Sequence, residues 1–165
     1  MKTFNESGMI FGPFDEHKVF QIEVSKMFNR CNGIKPVEFI YHKSKYVLMF
    51  IEAKSSSAMD REGNEINHEK FVQEILQKFE DSFSLYMAGI LKRKSGHEEL
   101  SPELKNADYE KMNFKFVLVI KGHEKTWLPP LKAEFDKRMK RFRAVWNSEV
   151  IVMNDNMARE CRLIS

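Results

Sequence analysis

The chain has 165 residues, a length typical of one domain, and its formal net charge at pH 7 is only +3. Hydrophobic residues make up 42% of the sequence and charged residues 31%, a composition that excludes a largely disordered chain. Because the net charge is small, any surface that binds nucleic acid has to be local. We therefore predict a single domain over residues 1–165.

The N-terminal residues and the cysteines indicate the compartment in which the protein resides. No apolar run near the N-terminus is long enough for a signal peptide, and no window approaches the ~20 apolar residues of a membrane span. Cys31 and Cys161 have no paired spacing, which favours a reducing compartment and leaves a single disulfide open. These observations predict a cytoplasmic protein without a membrane segment.

The first half of the chain predicts a β-hairpin after an ambiguous segment. Residues 15–31 fit both strand alternation and helical spacing, and the turn signal Asn32-Gly33 closes the segment in either case. Residues 37–41 and 46–51 are two β-rich runs with a short polar stretch between them, which is typical of a hairpin. The second run is apolar on both faces, which indicates a central strand of a sheet.

The second half of the chain predicts alternating helices and strands. An apolar stripe over residues 67–90 predicts an amphipathic helix with Asn67 as its N-cap, and residues 114–120 form a buried strand. A second amphipathic helix follows, and then a strand at 149–153 and a short helix at 155–161. This order predicts an α/β fold, a three-layer α/β/α sandwich with a central mixed sheet.

Charged residues end the buried second strand of the predicted hairpin. Glu52 and Lys54 lie two positions apart, so they emerge on the same face, and an unpaired charge is costly to bury there. A second acid, Glu38, lies on the neighbouring strand. Carboxylate oxygens bind Mg²⁺, and an ammonium stabilises the negative charge of a phosphoryl transition state. The three residues therefore suit metal-assisted hydrolysis of a phosphodiester bond.

The loop of the hairpin decides whether the two acids share a face of the sheet. A two-residue turn after His42 would place Glu38 on the opposite face from Glu52. A three-residue loop would place Glu38 opposite Phe50, so that it lies diagonal to Glu52 on the same face at roughly 7–8 Å. A shared metal therefore predicts an odd-length loop or a β-bulge.

An acid on one strand, followed by Glu-x-Lys at the end of the next strand and then by a helix, resembles the PD-(D/E)XK nuclease superfamily. The resemblance covers about residues 15–90 and implies a restriction-endonuclease-like fold that cleaves DNA with Mg²⁺ or Mn²⁺. It implies that Glu38 and Glu52 bind the metal together with the carbonyl of Ala53, and that Lys54 is the catalytic lysine.

The resemblance also suggests less specific members of the site. Many members of the superfamily add an acid from the first element of the fold, for which Glu23 is the candidate. Some use a glutamine on the helix that follows the lysine, which would be Gln73 or Gln77. The first acid is Glu38 rather than the usual aspartate, which leaves a second interpretation open: an inactive module that binds nucleic acid or a partner protein.

A basic run forms the second candidate surface, within the second predicted helix. Five of its seven residues are cationic, namely Lys137, Arg138, Lys140, Arg141 and Arg143. Such a run can contact DNA phosphates and make binding sensitive to salt, or it can be the solvated face of a helix. The leading hypothesis is a Mg²⁺-dependent nuclease acting on DNA, alone, as a homodimer or with a partner subunit.

Overall fold

Strands and helices alternate through the described parts of this computed structural model, which are residues 1–29, 31–57 and 65–165. The strands are β1 (Lys2–Glu6), β2 (Met9–Phe14), β3 (Val19–Phe20), β4 (Phe39–Ser44), β5 (Val47–Lys54), β6 (Asn113–Ile120) and β7 (Ser148–Asn154). The α-helices are α1 (Glu65–Ile90), α2 (Pro102–Lys105), α3 (Leu128–Arg138), α4 (Lys140–Trp146) and α5 (Asp155–Glu160).

A mixed sheet with the strand order β3-β4-β5-β6-β7 forms the centre of the fold. The pairs β3–β4 and β4–β5 are antiparallel, whereas β5–β6 and β6–β7 are parallel. The chain passes through α1 between β5 and β6, and through α3 and α4 between β6 and β7. Parallel neighbours need such crossovers, and their hand places both on one face of the sheet. The predicted mixed α/β fold is confirmed at this level.

Side chains of β5 alternate between two hydrophobic cores. Leu48 and Phe50 belong to a core that includes apolar residues of α1 and α3, and Met49 and Ile51 belong to the core on the other face. Residues of the β1–β2 hairpin and Ala158 of α5 complete this second core. The prediction of a central strand buried on both faces is confirmed. Each large apolar side chain buried in this way stabilises the fold by about 1.5–3 kcal/mol.

The N-terminal hairpin β1–β2 was not predicted from the sequence. Its turn, Ser7-Gly8, has positive φ angles of 51° and 72°, which suit a tight two-residue hairpin. The last residues of the chain hold the hairpin in place: Phe11 forms a β-bridge with Ile164, and the Ser165 N–H donates to the Ile10 carbonyl at 3.0 Å.

Several predicted boundaries are wrong. The ambiguous segment is neither a long strand nor a helix, because only Val19–Phe20 pairs with β4 and a 3-10 helix follows at Ile22–Val24. Asn67 is not an N-cap, because α1 already includes Glu65. The second long helix is two helices, α3 and α4, separated at Met139.

The remaining sequence predictions concern the cysteines and the membrane. Cys31 and Cys161 are both free thiols, so the disulfide that the sequence left open is not formed. No helix within the described residues combines the length and the apolar character that crossing a membrane requires.

Candidate metal centre

Glu52 is the most deeply buried charged residue of the candidate site. Its side chain is 0% exposed, at a position of β5 whose face packs against α1. The Oε1 atom lies 2.7 Å from Nζ of Lys78 and 3.3 Å from Nζ of Lys54. The Oε2 atom is also buried and has no hydrogen-bond partner among the described residues. One carboxylate oxygen is therefore held by two ammonium groups, and the other is left unsatisfied.

Glu38 lies close to Glu52. The β4–β5 register pairs Phe39, which follows Glu38, with Ile51, which precedes Glu52, and the charge of Glu52 helps to raise the pKa of the buried Glu38. A bulge between His42 and Ser44 produces this register, so the predicted odd loop or bulge is confirmed. The predicted pairing of Glu38 with Phe50 is wrong, because Phe50 pairs with Ile40.

Two further acids lie beside Glu38. One carboxylate oxygen from each of Glu6, Glu23 and Glu38 lies within 4.8 Å of the other two. Glu23, the candidate that the resemblance suggested, lies in the 3-10 helix Ile22–Val24, whereas Glu6 ends β1 and was not predicted. We refer to Glu6, Glu23, Glu38 and Glu52 as the acid cluster.

Like charges within the acid cluster perturb the protonation of Glu38. Burial, and then the negative charges of Glu52 and Glu23, raise the pKa of Glu38 from 4.5 to about 8. Burial, and then the charge of Glu23, raise the pKa of Glu6. Burial raises the pKa of Glu52 as well, although Lys78 and Lys54 offset part of this effect. The cluster therefore retains protons at pH values where isolated carboxyl groups have lost them.

Lys54 bridges the acid cluster and helix α1. Its Nζ atom donates to Oε1 of Glu74 at 2.8 Å while it lies 3.3 Å from Glu52. Burial lowers the pKa of Lys54, but the hydrogen bond to Glu74 and the charge of Glu52 outweigh burial, so the pKa is raised. Lys54 is therefore a charged ammonium at neutral pH.

Helix α1 contributes residues that the sequence did not predict. Gln77 donates to the carbonyl of Gly33 at 3.2 Å, and Gln73 interacts with Glu69, so the predicted glutamines are engaged elsewhere. Lys78 and Glu74 instead contact Glu52 and Lys54. The signal for this pair is their spacing of four residues, which puts both on one face of α1.

The carbonyl of Ala53, predicted as a further metal ligand, already has a partner. Ser7 of the N-terminal hairpin donates its hydroxyl to this carbonyl at 3.0 Å. The carbonyl belongs to the residue between Glu52 and Lys54, near the end of β5.

The donor set of the acid cluster fits a hard divalent cation. It offers carboxylate oxygens, which Mg²⁺, Mn²⁺ and Ca²⁺ prefer, and none of the thiolate or imidazole groups that softer metals favour. Fully ionised, the four acids carry two more charges than Lys54 and Lys78 neutralise. The unsatisfied Oε2 of Glu52 adds a buried acceptor that a cation would satisfy.

The basic run lies at the junction of α3 and α4. Arg138 forms ion pairs with Glu69 and Glu134, and Arg143 pairs with Asp136 at 2.9 Å. The other three cations are exposed and form no ion pair with another described residue: Lys137, Lys140 and Arg141. As far as the described residues show, these three cations of the run are available to bind phosphates.

Comparison with protein-family models, with curated proteins and with solved structures finds no match to this chain.

Proposed function

We propose that the protein is a nuclease of the PD-(D/E)XK type, which hydrolyses phosphodiester bonds in DNA with Mg²⁺ or Mn²⁺. One observation carries the proposal: a fully buried carboxylate, Glu52, lies 3.3 Å from the ammonium of Lys54 and close enough to the acid Glu38 for its charge to raise the pKa of Glu38. Burying charges in this way is costly for a protein that uses them only for stability. The cost is expected where charges serve catalysis.

The order of elements supports a restriction-endonuclease-like, three-layer fold for this proposal. Antiparallel β3, β4 and β5 are followed by the crossover helix α1 and by β6 parallel to β5. Helices α1, α3 and α4 contribute to the core on one face of the sheet, and α5 contributes with the β1–β2 hairpin to the core on the other.

The acids and the lysine of the site have different expected roles in the reaction. Glu38 and Glu52 would hold the metal, with Glu23 as a further acid. When bound, Mg²⁺ polarises the phosphoryl group and lowers the pKa of the attacking water. Lys54 is positioned to stabilise the additional negative charge of the transition state, and Glu52 keeps its ammonium oriented toward the cluster.

The inactive-module alternative is supported by one contact. Glu74 engages Lys54 at 2.8 Å, so the ammonium that catalysis needs is already hydrogen-bonded. A nuclease has to release or share this ammonium when a phosphate arrives, whereas a binding module can retain the contact permanently.

A cleavage assay with two lysine variants tests the proposal. Purified protein is incubated with single-stranded, duplex and branched DNA in Mg²⁺, in Mn²⁺ and in chelator. Lys54→Ala should lower the turnover about a hundredfold and leave the affinity for Mn²⁺ nearly unchanged, because the ammonium acts on the transition state. The matched control is Lys70→Ala, which alters an exposed lysine of α1 and should leave both quantities unchanged. Wild-type protein that binds no Mn²⁺ and cleaves none of these substrates overturns the proposal.

A further inference from the structure

We infer that the ammonium of Lys78, on helix α1, substitutes for the divalent cation beside Glu52 in the metal-free protein, and that metal binding displaces it. Lys78 is then a positioning residue: it keeps the buried carboxylate ready for the metal, and by competing with the metal it sets the metal affinity. The inference deepens the proposed function and rests on it for the metal position at Glu52.

Lys78 makes the closest charge contact of Glu52. Its Nζ atom lies 2.7 Å from Oε1 of Glu52, whereas Nζ of Lys54 lies 3.3 Å from the same oxygen. A divalent cation binds a carboxylate oxygen at about 2.0–2.6 Å. The ammonium of Lys78 therefore lies nearly where a cation bound to this oxygen would lie, and the two compete for the position.

The charge of Lys78 also acts on other members of the acid cluster. Burial and neighbouring acids raise the pKa values of Glu38 and Glu6, and the charge of Lys78 lowers both. Lys54 differs in that its shortest ion pair is with Glu74 of α1, at 2.8 Å. Lys78 thus partly neutralises the acids around the proposed metal, which is the electrostatic role that the metal itself would have.

An ammonium satisfies this site only in part. Oε2 of Glu52 is buried and has no hydrogen-bond partner among the described residues. Lys78 supplies one positive charge, whereas a divalent cation supplies two and can coordinate either or both oxygens of a carboxylate. A metal can therefore replace the ammonium with a net gain, although it has to compete with it.

Helix α1 offers the displaced ammonium another partner. Glu74 lies four residues before Lys78, which is the spacing and the order in which ion pairs stabilise a helix. The Glu74 side chain is 43% exposed and that of Lys78 is 17% exposed, so the ammonium moves toward water as it moves toward Glu74. Lys78 can therefore leave the acid cluster by a change of its own side-chain rotamers.

Calorimetric titration of the metal-free protein with Mn²⁺ tests the inference. Lys78→Met keeps an unbranched apolar side chain and removes the charge. Its affinity for Mn²⁺ should rise at least about tenfold, because a positive charge near a dication repels it strongly. Lys78→Arg keeps the charge and should bind Mn²⁺ like the wild type. The matched control is Lys70→Met, which alters an exposed lysine of α1 and should also bind like the wild type.

Stability measurements separate competition from an ordinary structural ion pair. In chelator, Lys78→Met should be less stable than the wild type, because Glu52 loses its nearest counter-charge. In saturating Mn²⁺ this difference should shrink or reverse, because the metal supplies the missing charge and stabilises the folded chain. A structural ion pair predicts the same loss of stability in both conditions, and that result overturns the inference.

A measurement on the wild type does not depend on a folded variant. Acetic anhydride should acetylate Lys78 faster in Mn²⁺ than in chelator, because the displaced ammonium is more exposed than the present 17%. Mass spectrometry of the digested protein measures the modification. Lys70 should react equally in both conditions and serves as the internal control. Equal reactivity of Lys78 in both conditions overturns the displacement.

The outcomes separate this inference from the proposed function. If Lys78→Met binds Mn²⁺ no more tightly than a wild type that does bind it, the inference is overturned and the proposed metal position stands. If the variant binds more tightly, or is the only one of the two that binds, the inference holds even when no DNA is cleaved. If neither protein binds Mn²⁺, the inference and the proposed function both fall.

Discussion

The acid cluster and the basic run distribute charge in opposite ways. The four acids of the cluster are separated by up to 46 residues in the sequence, and the fold brings them to one place and buries them partly or fully. The cations of the basic run are nearly contiguous in sequence, and the fold keeps them at the surface or pairs them with acids such as Glu69 and Asp136.

The difference shows which kind of charge indicates a ligand. Contiguous charges on a surface helix cost little, because water and neighbouring side chains screen them. Like charges assembled from distant elements raise each other's pKa and reduce stability, so the fold has to be stabilised elsewhere to retain them. The acid cluster is therefore stronger evidence for a binding site than the basic run.

The largest effect is expected from Glu52→Gln, which preserves shape and removes the buried charge. We expect loss of one bound ion together with a fall of about a hundredfold or more in the cleavage rate. The matched control is Glu149→Gln, which removes a strand glutamate that pairs with Lys115 outside the cluster and should change neither quantity. If the Glu52 variant binds Mn²⁺ with unchanged affinity, Glu52 is not a metal ligand, and its contacts with Lys54 and Lys78 are structural.

An intermediate effect concerns the stability of the metal-free protein as a function of pH. Because the pKa of Glu38 is about 8 in the folded chain and ordinarily 4.5, the unfolded chain loses this proton first as the pH rises. The free energy of unfolding should therefore fall between about pH 4.5 and pH 8, by on the order of 1–2 kcal/mol after allowance for solvent screening of a half-buried group.

Urea unfolding in chelator at a series of pH values measures this decline. Glu38→Gln cannot ionise, so its stability should be flatter across the same window, whereas Glu16→Gln should follow the wild type. Saturating Ca²⁺ should reverse the slope, because the cation binds the ionised carboxylates of the folded chain. If the stability of the wild type depends on pH as little as that of Glu38→Gln, the raised pKa of Glu38 is contradicted.

The smallest effect is expected in the basic run. If Lys140 and Arg141 contact DNA phosphates, replacing both with alanine should lower the slope of log K against log salt by about 0.9 per lost duplex contact. The comparison variant replaces Arg138 and Arg143, which are engaged in ion pairs, and should leave the slope nearly unchanged. If the wild type and both variants have equal slopes, the basic run is a solvated helix face that does not contact DNA.

Much of the sheet and its main helix could be predicted from local patterns. Strands β5 and β6 are continuous apolar runs, and α1 has a regular apolar stripe, so each carries its own signal. The N-terminal hairpin also carried a signal, since buried Phe4, Met9 and Phe11 alternate with more exposed residues around a Ser-Gly turn. The hairpin and its contribution to the core on that face were not predicted.

The residues of the candidate site also fall into two groups, those that local sequence patterns predict and those that they do not. Glu38, Glu52 and Lys54 follow from a strand-end pattern, and the register that joins them depends on one bulge within the hairpin. Glu6 and Lys78 could not be predicted, because their positions depend on how a hairpin and a helix dock against distant strands. The four-residue spacing of Glu74 and Lys78 places both on one face of α1, but it does not indicate which strand that face contacts.

The contacts between the chain's last residues and the N-terminal hairpin have a consequence for synthesis. Ile164 and Ser165, which hold the β2 strand of the hairpin, follow Glu6 by some 160 residues in the sequence and are therefore synthesised after it. Strand β5, which carries Glu52, can likewise pair with its parallel neighbour β6 only after β6 has been synthesised. We therefore expect the contacts that fix β2 to form only after Ser165 has been synthesised, later than the pairing of β4 with β5.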